Sequence, residues 1–392
     1  MRKFTWKALK IAACVLCMLS VSGCWNSREL NTLSIVMGVG IDKAEEAGEV
    51  RITAQVVRPG EIGSAQNGGQ SSTGGDAFWN VKNTGLTVFS TIRDMTNQIS
   101  RKLFFSHNRI IIFGKSLAEE GVHGEVDFFA RDPEPRSNVY VLVAEGTAEE
   151  VLDTEAKLEK IPADKIADMV EGQTAAMSQS CKIKLSDFVL RLMSKTTAPI
   201  ATMIEVTGEG EEAVPTICGT AVFKQDKLVG KLDKREGRGL LWVLGEVELS
   251  IIVVDGPDGS PVSLESIRSS GKITPELRDG KVVMKIKITE EGNVAEDTGT
   301  TPLNTTDALA FLEQQKTEAI RSEILAAFEK AKELDADIFG FGEALYQKYP
   351  NEWKDMEDQW DEIFPTIELE LDIDAQLRLT GRINSPVTAD EG

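Results

Sequence analysis

The stretch TDALAFLEQQKTEAIRSEILAAFEKAKELDADI, residues 306–338, carries the longest helix signal in the chain. Leu309, Leu312, Ile320, Ile324, Phe328, Ala331, Leu334 and Ile338 recur at three- and four-residue intervals and form one apolar stripe. Roughly thirty residues at about 1.5 Å each predict a rod of about 45 Å. Stretches of a different period flank it. Upstream, Val282, Met284, Ile286 and Ile288 alternate with mainly lysines; downstream, Ile367, Leu369, Leu371, Ile373, Leu377 and Leu379 alternate with Glu368, Glu370, Asp372, Asp374, Gln376 and Arg378. A period of two marks a half-buried strand. A long helix beside a sheet with one wet face predicts an α+β domain.

Between helix and last strand, Gly340 and Gly342 are expected to end the rod. A shorter helix after Pro350, with Trp353, Met356, Trp360 and Phe364 on one face, should stop at Pro365 and pack on the final strand. Upstream, the runs Thr220–Phe223, Leu228–Leu232, Leu240–Leu244 and Glu248–Val254 read as hairpin strands, the last closing at the turn Asp255–Gly259. The C-terminal domain is thus expected over 216–384, as antiparallel sheet plus long helix, with a disordered tail at 385–392. The acidic, glycine-containing segment 207–215 is the expected linker.

The region 24–206 mixes strands and helices irregularly, with room for two subdomains. Leu33–Ile41 and Val50–Val56 read as paired strands around the acidic turn 43–49. Six glycines among Ser, Gln and Asn make 59–76 a mobile loop. Phe89, Ile92, Met95, Ile99 and Leu103 have the spacing of a helix with one buried face. Arg109–Phe113, Asn138–Ala144 and Ile200–Val206 read as strands. Helices are expected from Ser116, from the capping box at Thr147–Glu150, over 165–177 and over 187–193. The pattern predicts an α+β or mixed-sheet region rather than a doubly wound one.

Ahead of all this, Arg2, Lys3, Lys7 and Lys10 precede an apolar core at Ile11–Val21 that is too short for a membrane span of about 20 residues. It ends in Val21-Ser22-Gly23-Cys24. Residues 1–23 therefore read as a secretory signal, and a cysteine at the cut resembles the bacterial lipoprotein signal, in which Cys24 takes a diacylglyceryl thioether and becomes the first residue. Two or more acyl chains anchor durably without further membrane signals. Without the 4 basic residues of 1–23, the chain has 39 basic against 63 acidic residues, a formal charge of −24. Such a field disfavours nucleic acid and anionic headgroups as partners.

Little in the chain points to chemistry. Its 2 histidines, His107 and His123, limit imidazole schemes, and neither His-Glu-x-x-His nor paired Cys-x-x-Cys occurs. Gly-x-Ser-x-Gly is absent, the acidic run 355–362 lacks calcium-loop order, and Gly38-Val39-Gly40 is too short for a dinucleotide fingerprint. No catalytic, metal or cofactor-binding residue is predicted, and the chain reads as a non-enzyme. Cys181 and Cys218 are compatible with one disulfide or with two free thiols; one pair is no framework for a chain this long, which favours the thiols.

Six motifs in order resemble one family, the Ger(x)C spore-germination lipoproteins, the C subunits of nutrient germinant receptors. They are Gly23-Cys24-Trp25 with Arg28-Glu29; Gly40-Ile41-Asp42; Ser100–Leu103 with Ser106-His107; Gly219–Phe223 with Leu228-Val229-Gly230; Asp337–Gly342; and Trp353. The resemblance implies an elongated multi-domain lipoprotein without enzymatic activity, anchored through Cys24 at the outer face of the bacterial cytoplasmic membrane, the inner spore membrane. It also implies partnership with polytopic A and B receptor subunits. Only Cys24 carries over with a defined role. Ser106–Arg109 and Asp337–Gly342 are the candidate contact segments, against a structural reading as strand end and helix stop. A solute-binding lipoprotein of an importer, which would show two βαβ lobes around a cleft, and a tethered hydrolase are the alternative functions.

Overall fold

The first apolar run of the body forms the centre of the larger sheet. In the computed structural model, which describes residues 32–62, 76–155 and 159–379 together with Trp6, β1 (Leu33–Lys43) pairs antiparallel with β2 (Val50–Val57). β2 pairs in turn with β3 (Phe78–Gly85), a strand that the sequence reading left out because its side chains follow no period. The chain continues through α1 (Val88–Asp94), β4 (Lys102–Phe104), β5 (Ile110–Gly114), α2 (Lys115–Glu120), α3 (His123–Arg131), β6 (Tyr140–Ala144), α4 (Ala148–Leu152), α5 (Pro162–Ala176), α6 (Leu185–Met193) and β7 (Ile200–Thr207). β1, β5, β6 and β7 run parallel in the middle.

Every side chain of β5 and β6 is buried because apolar residues lie against both faces. Ile110, Ile112 and Leu142 share a core with α4 and α5, whereas Ile111, Phe113, Val141 and Val143 join the main core. Thr147 forms the predicted capping box, its hydroxyl accepting the Glu150 N–H at 3.1 Å while Glu150 accepts the Thr147 N–H at 3.3 Å. One predicted helix is shorter than its spacing suggested. It ends at Asp94, Leu103 lies in β4, and Phe89 is exposed rather than buried.

The sheet continues past Thr207. β8 (Val214–Lys224) pairs antiparallel with β7, and β9 (Lys227–Leu232) with β8, completing nine strands in the order β3-β2-β1-β5-β6-β7-β8-β9 with β4 beside β1. The segment expected as a linker, 207–215, is therefore the connection of a hairpin. The first two strands assigned to the C-terminal domain lie in the first sheet, where they pair the edge that β7 would otherwise leave open.

Leu240–Leu244, read as a strand, is the end of a helix, α7 (Lys234–Leu244). Asp233 and Glu236 cap its start reciprocally, each bond 2.8 Å, and Gly245 closes it in the left-handed conformation. The error has a physical source. Gly237 through Val243 are all buried, so the helix shows no polar face, and a short apolar run alone does not distinguish helix from strand.

The second sheet is the meander β10 (Ser250–Asp255), β11 (Pro261–Arg278) and β12 (Lys281–Asp297), joined by β13 (Glu368–Leu379) parallel to β12. That parallel return is permitted by the long excursion between them. It begins with α8 (Thr306–Glu333), 28 residues long, whose Leu312, Ile320, Ile324, Phe328 and Ala331 are buried in the core that holds Met284, Ile286 and Ile288. α8 ends at Glu333, before the glycines expected to stop it, and Gly340 at φ 76° instead begins α9 (Phe341–Lys348). The helix expected around Trp353 is split into α10 (Pro350–Met356) and α11 (Trp360–Ile363) by the turn 357–359. The architecture is α+β, with two sheets and helices packed on them.

Cys24, residues 63–75 of the glycine-rich stretch and the tail 385–392 lie outside the described residues. Among the described residues no helix is long and apolar enough to cross a membrane.

Candidate functional site

Asp337 sits where the two sheets meet. It is 4% exposed, and its carboxylate accepts the N–H groups of Gly340 at 2.9 Å, Phe341 at 3.1 Å and Gly342 at 2.8 Å, the first amides of α9. These amides have no partner within their own helix, and an aspartate is suited to them by both hydrogen bonding and charge. Its own carbonyl accepts the Ala198 N–H at 2.8 Å, and Arg191 of α6 donates to Ala198 O and Ile338 O, both at 3.0 Å. A cavity of about 130 Å³ adjoins the junction, lined by Arg191, Thr197, Lys224, Asp335, Asp337 and Trp360 among others. The Asp337–Gly342 segment, a contact candidate set against a structural reading as a helix stop, is thus largely internal. Its Asp, Phe and Gly residues fasten the start of α9 to the loop after α6.

Burial pushes the Asp337 carboxyl up to about 6, against the lowering effect of its three backbone donors and Arg191. The native state therefore holds this proton more tightly than an unfolded chain, where aspartate titrates near 3.9. The resulting stability is present below about pH 4 and is lost as pH rises to about 6. Denaturation midpoints measured across that window should fall with pH on account of this group, and Asp337→Asn, which cannot ionise, should flatten that limb.

A second tie lies at the crossing of α7 and α8. Glu323 of α8 accepts from Arg238 Nε at 2.9 Å, from Arg238 Nη2, and from the Trp242 indole N–H at 2.9 Å, while Arg238 Nη1 donates to Ile251 O at 3.0 Å. One buried carboxylate thus joins the helix that follows the first sheet to the helix and edge strand of the second. The helices approach closely enough that a Cβ on Gly239 would lie 2.1 Å from the Glu323 carbonyl oxygen, so only glycine fits there.

The other candidate segment divides by residue. Ser106 Oγ donates to Glu134 O at 3.0 Å, Asn108 is buried, and Arg109 lies 3.2 Å from Asp164 and 2.9 Å from Asp168. His107 is exposed, its ring 6.0 Å from that of Phe104 and 57° to it. Asp42, from the Gly40-Ile41-Asp42 motif, accepts the N–H groups of Ala148 at 2.7 Å and Glu149 at 3.0 Å, capping α4 as Asp337 caps α9. Cys181 and Cys218 are free thiols; burial pushes Cys181 up to about 12 and Cys218 up to about 11, away from the reactive thiolate form. Among the described residues no group of three or more His, Cys, Asp or Glu side chains could hold a metal ion.

Sequence reasoning missed two buried pairs, Arg238–Glu323 and a second one. Lys316 and Glu290 are both fully buried, with Nζ 2.6 Å from Oε1. Burial raises the Glu290 carboxyl and lowers the Lys316 ammonium, each opposed by the other's charge. A signal existed. Glu290 continues the inward alternation of Val282, Met284, Ile286 and Ile288, and Lys316 falls four residues after Leu312 and four before Ile320 on the apolar stripe.

Residues 26–206 match the family model described as Spore germination protein N-terminal domain, and residues 218–381 that described as Spore germination B3/GerAC like, C-terminal. The models part inside the β7–β8 hairpin, so the two matched segments share the first sheet. The chain is similar to Spore germination protein KC of Bacillus subtilis (strain 168), at 28% identity over 97% of this chain and 98% of that one. It is also similar to two further proteins of the same organism. Spore germination protein B3 is 23% identical over 93% of this chain and 96% of its own, and Spore germination protein A3 is 26% identical over 90% and 92%. Among solved structures, the crystal structure of the GerBC protein shares the fold, with a TM-score of 0.57 at 19% identity over 86% of this chain and 97% of that one.

Proposed function

The chain belongs to the Ger(x)C family of spore germination proteins, and from that premise we propose that it is the lipid-anchored, non-catalytic subunit of a nutrient germinant receptor. Cys24 would hold it at the outer face of the bacterial cytoplasmic membrane, the inner membrane of the spore, beside polytopic A and B subunits. The observation that supports this reading is the mutual fastening of the two sheets. Glu323, with Arg238 and Trp242, and Asp337, with Arg191 nearby, tie them into a common core, so the body presents a fixed surface to its neighbours. An importer's binding lobes would instead flank a cleft, and here the nine-stranded and four-stranded sheets differ in kind. His107, the histidine singled out by its motif, faces solvent beside Phe104.

The test is Cys24→Ala in a spore-forming host. The bulk of the chain should leave the membrane fraction, because a body without a spanning helix among its described residues relies on its acyl chains, each buried methylene contributing about 0.8 kcal/mol. Nutrient-triggered germination should fail with it. Retention of the Cys24→Ala chain in membranes that lack the other subunits would reveal a second anchor and overturn the reading.

A further inference from the structure

The described chain starts on one identifiable edge of the body. Leu33, Ser34 and Ile35 open β1 by pairing in parallel with Lys102, Leu103 and Phe104 of β4. Eight residues separate Cys24 from Leu33, and even fully extended the nine steps between them span at most about 32 Å. Anchoring at Cys24 therefore brings the β4 edge close to the headgroups.

An exposed apolar face lies beside that edge. Leu86 is 72% and Phe89 52% exposed at the start of α1, and the Phe89 ring is 6.1 Å from Phe128 of α3. Phe128 is held edge-on against the buried Phe129 at 5.0 Å, so the face has a rigid base. A groove of about 510 Å³ runs between α1 and α3, lined by Val88, Phe89, Gly124, Phe128, Arg131 and Pro133 among others. A second hollow shares Phe89 and Phe128 with it and reaches Lys102 and Leu103, the residues against which the chain start pairs. Large apolar side chains exposed together mark a contact surface more often than they occur by chance.

Charge identifies the occupant. The protein as a whole is strongly acidic, yet the exposed Arg93 lies 5.0 Å over the Phe89 ring and Lys102 lines the adjoining hollow. Of the acidic neighbours, Asp127 and Glu134 are engaged by Arg131 at 2.6 Å and Lys102 at 2.9 Å, and Asp132, which lines both hollows, accepts the Glu134 N–H at 2.8 Å. Exposed rings with a guanidinium laid over one of them match the boundary of an anionic bilayer, where acyl chains accept the former and phosphates the latter.

We propose that the face formed by Phe89, Phe128 and Arg93, with Leu86 just ahead of α1, lies on the lipid surface and fixes the orientation of the anchored body. This rests on the reading of Cys24 as the anchor. The tether supplies a high local concentration, so the face needs only weak affinity of its own, and the general acidity keeps the remainder of the body off the bilayer.

The test places the photo-crosslinker p-benzoyl-phenylalanine at position 89, where the exposed ring leaves room for the added benzoyl group, or at Val253, 63% exposed on the second sheet, in the full lipidated chain within its native membrane. Illumination should give lipid adducts at position 89 several times more abundant than at 253. Adducts from position 89 to another polypeptide, or no adduct in chain recovered from the membrane, would sink the orientation while leaving the anchor intact. Recovery of the chain in the soluble fraction would instead sink the anchor reading and this proposal with it.

Discussion

Glu323→Ala should destabilise the folded protein by about 3 to 5 kcal/mol, because it removes the carboxylate that a buried guanidinium and a buried indole share. Glu323 is 5% exposed and Arg238 9%, and the replacement leaves two Arg238 donors and the Trp242 N–H without the carboxylate that they share. Chemical denaturation of purified protein measures the loss. Glu323→Gln, which keeps the shape and one good acceptor, should lose less. Equal losses for the two variants would show that charge rather than donor satisfaction sets the cost, and a midpoint unmoved by Glu323→Ala would mean that the crossing contributes nothing. Because Glu323 also couples α8 to α7 and, through Arg238, to β10, the variant should broaden the transition as the sheets lose cooperativity.

Trp360→Ala should cost a comparable 3 to 5 kcal/mol or about that, as full truncation of a buried aromatic does. Trp360 is 4% exposed and packs edge-on against Trp353 at 5.2 Å and near Phe364 at 6.3 Å. Phe364 in turn meets Phe328 of α8 at 6.0 Å and Phe341 at 6.4 Å, and Phe341 stacks on Phe339 at 4.9 Å. The ring therefore belongs to an aromatic cluster spanning α8, α9, α10 and α11, in addition to any support that it gives the final strand. Trp360→Phe should recover much of the loss, since the indole N–H has no acceptor among the described residues. If Trp360→Ala leaves the denaturation midpoint in place, the cluster is not structural, and the face would have to be reassigned as a partner-binding surface.

The motifs that placed the chain in its family were legible long before their purpose was. In the sequence Gly40-Ile41-Asp42 looks like the end of a strand and Asp337–Gly342 like a helix stop. In the fold both aspartates are buried and cap helices: Asp337 caps α9, which begins four residues on, whereas Asp42 reaches α4, more than a hundred residues away. No local pattern encodes the reach of Asp42. A single sequence gives the residue type and its neighbours, whereas the partner amides arrive through sheet pairing.

What the sequence determined by itself was whatever repeats with a short period or depends on adjacent residues. The stripe from Leu312 to Ala331, the alternation from Val282 to Ile288, the hairpin of β1 and β2 and the capping box at Thr147 follow from steric and hydrogen-bonding preferences acting within a few residues, and each stands where it was read. Tertiary structure decided whatever depends on which surfaces meet. It turned Leu240–Leu244 into the end of a helix, because burial on every side erases the polar face that reveals one. It carried β8 and β9 into the first sheet, because an open strand edge is satisfied by the next strand available rather than by a boundary in composition. It placed Lys316 against Glu290 and Glu323 against Arg238, because a charge inside the core is tolerated only where long-range packing brings its counter-charge within hydrogen-bond reach.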